Sequence, residues 1–125
     1  MHKEYNPNPD KKLVGDCVIR AITKLLNKDW DSVYLMLAMQ GYSLKDMPSA
    51  NHVWGKFLRE HGYVQKVLPS TCPDCYTVKK FCEEHPKGTY LLATGSHAVT
   101  VIDGDYYDAW DSGDEVTVYY FERGE

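Results

Sequence analysis

No apolar run in this sequence approaches the roughly 20 residues needed to cross a bilayer. The opening MHKEYNPNPDKK also lacks the apolar centre of a secretory signal. Lys and Arg form no cluster, and the formal net charge is -4. A nucleic-acid backbone or an anionic membrane demands a basic footprint, so neither is expected as the main partner. No internal repeat recurs along the 125 residues. One domain spanning 1–125 is expected, because a chain of this size buries a core without staples. Together these absences lead to the expectation of a cytoplasmic protein. Cysteine is scarce, with only Cys17, Cys72, Cys75 and Cys82. In a reducing compartment they are expected as thiols or ligands rather than disulfides.

Against those absences stands ample packing material: 43% hydrophobic residues, ten tyrosines and three tryptophans, a globular rather than disordered composition. Pro7 and Pro9 exclude helix from residues 1–12, which read as an extended N-terminal arm. From Cys17 to Asn27 apolar residues occupy more than one helical face, the pattern of a central, enclosed helix. A second helix follows the Asp29 cap and is closed by Gly41; a third starts at Ser49 and stops at His61-Gly62. Tyr63 to Val67 is a short strand, and Thr77 caps a helix ended by Pro86 and Gly88. From Thr89 onward the chain turns β-branched and aromatic, giving strands at Tyr90–Thr94, His97–Ile102, Tyr106–Trp110 and Val116–Phe121. Helices followed by strands predict an α+β fold, with helices packed on one face of a C-terminal antiparallel β-sheet.

The most informative local feature is Asp103-Gly104. This dipeptide favours a two-residue hairpin turn because both positions tolerate positive φ. If Ile102 pairs with Asp105, His97 faces Trp110 and Val99 faces Asp108, all on one side of the sheet. His97 and Asp108 are then diagonal neighbours with backbones about 7–8 Å apart, within reach of an imidazole-to-carboxylate hydrogen bond. A three-residue turn would bring Asp111 to that face instead.

A histidine held by a carboxylate is what a nucleophilic thiol requires, and Cys17 stands at a helix start, where the helix dipole favours a thiolate. Its backbone N–H also points where an oxyanion would form, leaving one side-chain donor to complete the hole. With DCVIRAI at the helix start, SHAVTVIDG on one strand and YYDAW on the next, the chain resembles the papain-like cysteine peptidases. The likeness is to the compact bacterial and phage form related to bacteriocin-leader-cleaving enzymes.

That resemblance implies a papain-like fold and hydrolysis of a peptide or related amide bond in a peptide or protein substrate, without a cofactor. Cys17 would be nucleophile, His97 proton carrier and Asp108 its orienting partner. Six residues before the nucleophile, where the family commonly has an oxyanion-supporting glutamine, stands Lys11. Asn6 and Asn8 of YNPNP are therefore the candidate side-chain donors. Trp110 is a candidate wall of the site, with a core position as the plainer reading; Arg20, one turn after Cys17, either pairs with an acidic residue or binds substrate, with the structural pair as the plainer reading.

Two alternatives of other classes are a catalytically silent papain-like binding module and a small zinc-stabilised interaction domain. Zinc would be held by Cys72, Cys75, Cys82 and His85 in TCPDCYTVKKFCEEHP, although Cys82 lies on the apolar stripe of its helix. A redox C-x-x-C lacks a preceding βαβ context. His2 belongs to the arm, and His52 and His61 read as surface or capping residues. The run DSGDE at 111–115 is too short for an EF-hand and reads as a turn.

Overall fold

Asp103 (φ 49°) and Gly104 (φ 82°) both take the left-handed conformation of a two-residue hairpin turn. They join strands β4 (Ala98–Ile102) and β5 (Asp105–Asp108) in the expected register, Ile102 opposite Asp105 and Thr100 opposite Tyr107. These assignments come from a computed structural model that describes residues 1–69 and 74–124. Alanine at Gly104 would hold an L side chain in a left-handed turn. Gly104→Ala is expected to destabilise the fold by about 1–2 kcal/mol, read as a lower midpoint in urea unfolding.

Among the described residues the remaining strands are β1 (His2–Glu4), β2 (Tyr63–Val67), β3 (Thr89–Thr94) and β6 (Thr117–Arg123). All six form one sheet in the order β1-β5-β4-β3-β6-β2. Two expectations change here. The N-terminal arm adds β1 to the edge, where it runs parallel to β5 with His2 opposite Tyr106. The sheet is therefore mixed rather than antiparallel, because a segment from the far end of the chain completes it. Trp110 also lies beyond β5, which ends at Asp108.

Among the described residues four helices flank the sheet: α1 (Cys17–Leu26), α2 (Trp30–Leu44), α3 (Asn51–Glu60) and α4 (Val78–Glu84). Ala21, Ile22 and Leu25 of α1 pack with Leu37 of α2, Trp54 and Leu58 of α3, and the sheet residues Leu91, Ala93 and Phe121. Burying each large side chain of this kind is worth about 1.5–3 kcal/mol, so the enclosed α1 is a rigid base for whatever stands at its ends. Leu92, Val99, Val101 and Tyr106 alternate with that set and pack against Val78, Phe81 and Cys82 of α4. Helices thus cover both faces of an α+β sheet rather than the single face expected, because both sides of β3 and β4 are apolar.

Two helix boundaries also differ from the sequence reading. Gly41 does not stop α2, which continues to Leu44 and ends at Lys45 in the left-handed conformation. Its role is a close approach, since a Cβ there would lie 2.6 Å from the Asp46 carbonyl oxygen. The third helix begins at Asn51, two residues after Ser49, with Ala50 at its N-cap. Among the described residues no helix is long and apolar enough to cross a membrane.

Candidate active site

The N-terminus of α1 sets the position of Cys17. The first hydrogen bond into the helix runs from Arg20 N–H to the Asp16 carbonyl, so the amides of Cys17 and its successors have no acceptor within the helix. Asp16 occupies the N-cap position but makes no capping bond. Its buried carboxylate instead accepts from Arg20 Nη1 at 2.6 Å and from Trp30 Nε1 at 2.9 Å.

Across from the helix start, His97 precedes β4 and its Nε2 donates to Asp108 Oδ2 at 2.6 Å. That bond leaves Nδ1 as the ring nitrogen for the thiol, and the His97 and Cys17 side chains are in hydrogen-bond contact. The diagonal relation expected from the hairpin is the one observed. Asp108 is fully buried and every one of its partners is a donor. Oδ1 accepts from Arg20 Nε at 3.0 Å and from the Ala109 N–H at 2.8 Å, and Oδ2 accepts from Ser112 Oγ at 2.6 Å besides His97. Among the described residues no buried side-chain nitrogen or oxygen lacks a partner.

The electrostatics follow from these contacts. Burial pushes the Cys17 thiol up, but the His97 hydrogen bond, the Ala98 N–H and the charges of His97 and Arg20 outweigh it, leaving it below its usual range. Burial works to lower His97, yet its bonds to Asp108 and Cys17 prevail and carry it to about 9. For Asp108 burial opposes ionisation, and His97, Ser112 and the Arg20 charge overcome that and hold its carboxyl below the usual range. All three shifts favour thiolate, imidazolium and carboxylate together.

Cys17 and His97 open on a groove of about 400 Å³ whose other walls include Tyr34, Leu37, Pro48 and Gly95. Trp110 is 47% exposed, so it is not a core residue, and its ring centroid lies 4.8 Å from that of His97. It packs against the imidazole but is not among the residues that line the groove.

The expected oxyanion donors are not in this groove. Asn6 Nδ2 donates to the Lys12 carbonyl at 3.3 Å and its Oδ1 accepts from Asn8 N–H; Asn8 Oδ1 accepts from Asp10 N–H at 2.9 Å. Neither residue lines the cleft, because the proline-punctuated arm folds on itself through local asparagine turns. The reserve carboxylate Asp111 accepts from Tyr106 Oη and from the Gly113 N–H, away from His97.

The cysteine-rich loop also departs from expectation. Cys75 is disulfide-bonded, whereas Cys17 and Cys82 are free thiols. The expectation of thiols or ligands rested on an assumed reducing compartment, and for Cys75 it is overturned. Cys72 lies outside the described residues. Cys82 is buried beside Val78 and Phe81, and that burial pushes its thiol up to about 11. His85 donates through Nδ1 to the Phe81 carbonyl at 2.9 Å and stacks on the Phe81 ring. Among the described residues no group of three or more His, Cys, Asp or Glu side chains is placed to hold a metal ion. His61 likewise donates to the Phe57 carbonyl, His52 pairs with Asp46, and His2 donates to the Asp108 carbonyl.

Sequence reasoning placed Arg20 in an ion pair but missed that it joins two carboxylates, and it missed Ser112 altogether. The available signal was a lone arginine inside CVIRAI, where burial of the surrounding helix forces any charge to be paired. No family model, curated protein or solved structure matches this chain.

Proposed function

We propose that this protein is a thiol-dependent hydrolase of peptide or related amide bonds, built on a papain-like plan and acting on a peptide or protein substrate. One observation carries the reading: a free thiol at the start of a buried helix touches an imidazole whose other nitrogen is fixed on a buried carboxylate, and the pair opens on a groove.

In this reading Cys17 Sγ attacks the carbonyl carbon, and the unpaired amides of the first turn of α1 stabilise the oxyanion. The C–N bond breaks as His97 Nδ1 gives its proton to the departing amine, leaving a thioester. A water then gives a proton to His97 and its oxygen to the thioester carbon. Thiolate and carboxylic acid are released, and the His97–Cys17 ion pair is restored. Asp108 holds the imidazole in one tautomer throughout.

The test is a peptide library incubated with the protein and read by mass spectrometry for new amino termini, alongside iodoacetamide labelling at pH 6. Cleavage absent from Cys17→Ala, with labelling at Cys17 and not Cys82, is the expected result. Identical cleavage by Cys17→Ala, or equal slow labelling of both thiols, would sink the proposal.

A further inference from the structure

Arg20 is 5% exposed and touches both sides of the site. Its Nη1 lies 2.6 Å from Asp16 Oδ1, on the residue that precedes Cys17 in the chain, while Nη2 and Nε lie 2.9 and 3.0 Å from Asp108 Oδ1. Asp108 in turn holds His97, and His97 meets Cys17. The contacts close a ring: Cys17, Asp16, Arg20, Asp108, His97 and back to Cys17. One part of the ring stands on α1 and the rest on the β4–β5 hairpin, elements about 80 residues apart in sequence.

We propose that Arg20 is a positioning residue of the active site, a guanidinium clamp that fixes the start of α1 against the His97–Asp108 pair and so sets the Cys17–His97 contact. This inference rests on the hydrolase reading above. The planar fork suits the task, since guanidinium presents donors in several fixed directions while an ammonium is a point charge. It also supplies charge. The groups around the thiol are two carboxylates, Asp16 and Asp108, and two cations, Arg20 and His97. Without Arg20 a thiolate would form beside two carboxylates with His97 as the sole counter-ion. Trp30, bonded to the second oxygen of Asp16, keeps that carboxylate turned toward the clamp.

The discriminating readout is the pH dependence of iodoacetamide labelling at Cys17 in Arg20→Met and Arg20→Lys, with near-UV circular dichroism to establish folding. A clamp predicts that Arg20→Met moves the labelling midpoint to higher pH. Labelling at pH 6 should then slow by about three-fold for every pH unit the midpoint rises above 6, less than the ten-fold loss of thiolate because nucleophilicity rises with thiol pKa, and the limiting rate at pH 10 should not fall. Arg20→Lys should fall between Met and wild type, because lysine restores the charge but not the fork.

Folded variants of lower melting temperature that keep the wild-type midpoint would overturn the clamp and leave the hydrolase reading intact. An ordinary thiol midpoint in the wild type, near 8.5, would overturn both. If neither variant folds, the Arg20 Nε–H resonance of the wild-type protein carries the test. It should move with the same midpoint as Cys17 labelling, and a resonance that stays fixed across that range would overturn the clamp.

Discussion

Replacing His97 by alanine is expected to slow iodoacetamide labelling of Cys17 at pH 6 by between about ten-fold and a hundred-fold. An unperturbed thiol is well under one per cent thiolate at that pH, and an imidazolium partner raises that fraction. The ratio stays below the gain in thiolate because nucleophilicity falls as thiol pKa falls. Wild-type and variant rates should converge toward pH 10, where both thiols are ionised. A His97→Ala variant that labels at the wild-type rate at pH 6 would show that the depressed Cys17 pKa has another source.

Folding stability carries the same pair in a form that can be measured without substrate. His97 is raised from 6.5 to about 9 in the folded protein. Its contribution is therefore complete below pH 6.5 and is lost as the pH rises through about 9. Cys17 is shifted the other way, so its contribution is present above its unfolded value of 9.0 and is lost as pH falls through the folded one. Between pH 6.5 and 9 the two changes oppose each other, so the coupled pair leaves a shallower profile than His97 alone would. In Cys17→Ala the Asp108 bond still raises His97, and urea unfolding should then show stability declining across that alkaline window. On the acid side Asp108, held below 3.8, contributes stability that is present above that value and lost as pH falls through its folded pKa.

The second large effect is expected at Asp108. Asp108→Ala should cost about 3–5 kcal/mol in urea unfolding, because it deletes one member of a buried ion network and leaves Arg20 with a single counter-ion. Ser112 and His97 lose their acceptor in the same step. Asp108→Asn separates structure from chemistry. Arg20 and the Ala109 N–H both donate to Oδ1, so the asparagine oxygen must take that place and its NH2 must face His97. Nε2 then becomes an acceptor and the ring proton moves to Nδ1. In this tautomer the neutral imidazole no longer accepts a proton from Cys17. The expected outcome is a folded variant with a smaller stability loss whose Cys17 labels at pH 6 nearly as slowly as in His97→Ala. Fast labelling of a folded Asp108→Asn would contradict the orientation assigned to the carboxylate.

The candidate site was legible in sequence to the extent that it depends on local geometry. Asp103-Gly104 admits left-handed backbone at two successive residues, which selects a two-residue turn. Side chains alternate strictly beyond it, so one turn fixed His97 and Asp108 as neighbours without knowledge of the rest of the fold. The start of α1 was equally local, announced by Gly-Asp before an apolar helical run.

What sequence did not decide concerns segments joined by long connections, whose relative placement no nearby residue encodes. Asn6 and Asn8 looked suited to the cleft by chemistry, but their side chains close local turns that fold the arm on itself, and its first residues pair as a parallel edge strand. α4 went to the opposite face of the sheet because Leu92, Val99 and Val101 leave an apolar surface there to be covered. Arg20 shows the division within a single residue. Its helix position near Cys17 was fixed by the 3.6-residue period, but its grip on Asp108 exists only once β5 is packed beside α1 and water is excluded from both carboxylates. Burial makes that pairing obligatory, since an unpaired charge at this depth costs several kcal/mol, and burial is a property of the assembled fold.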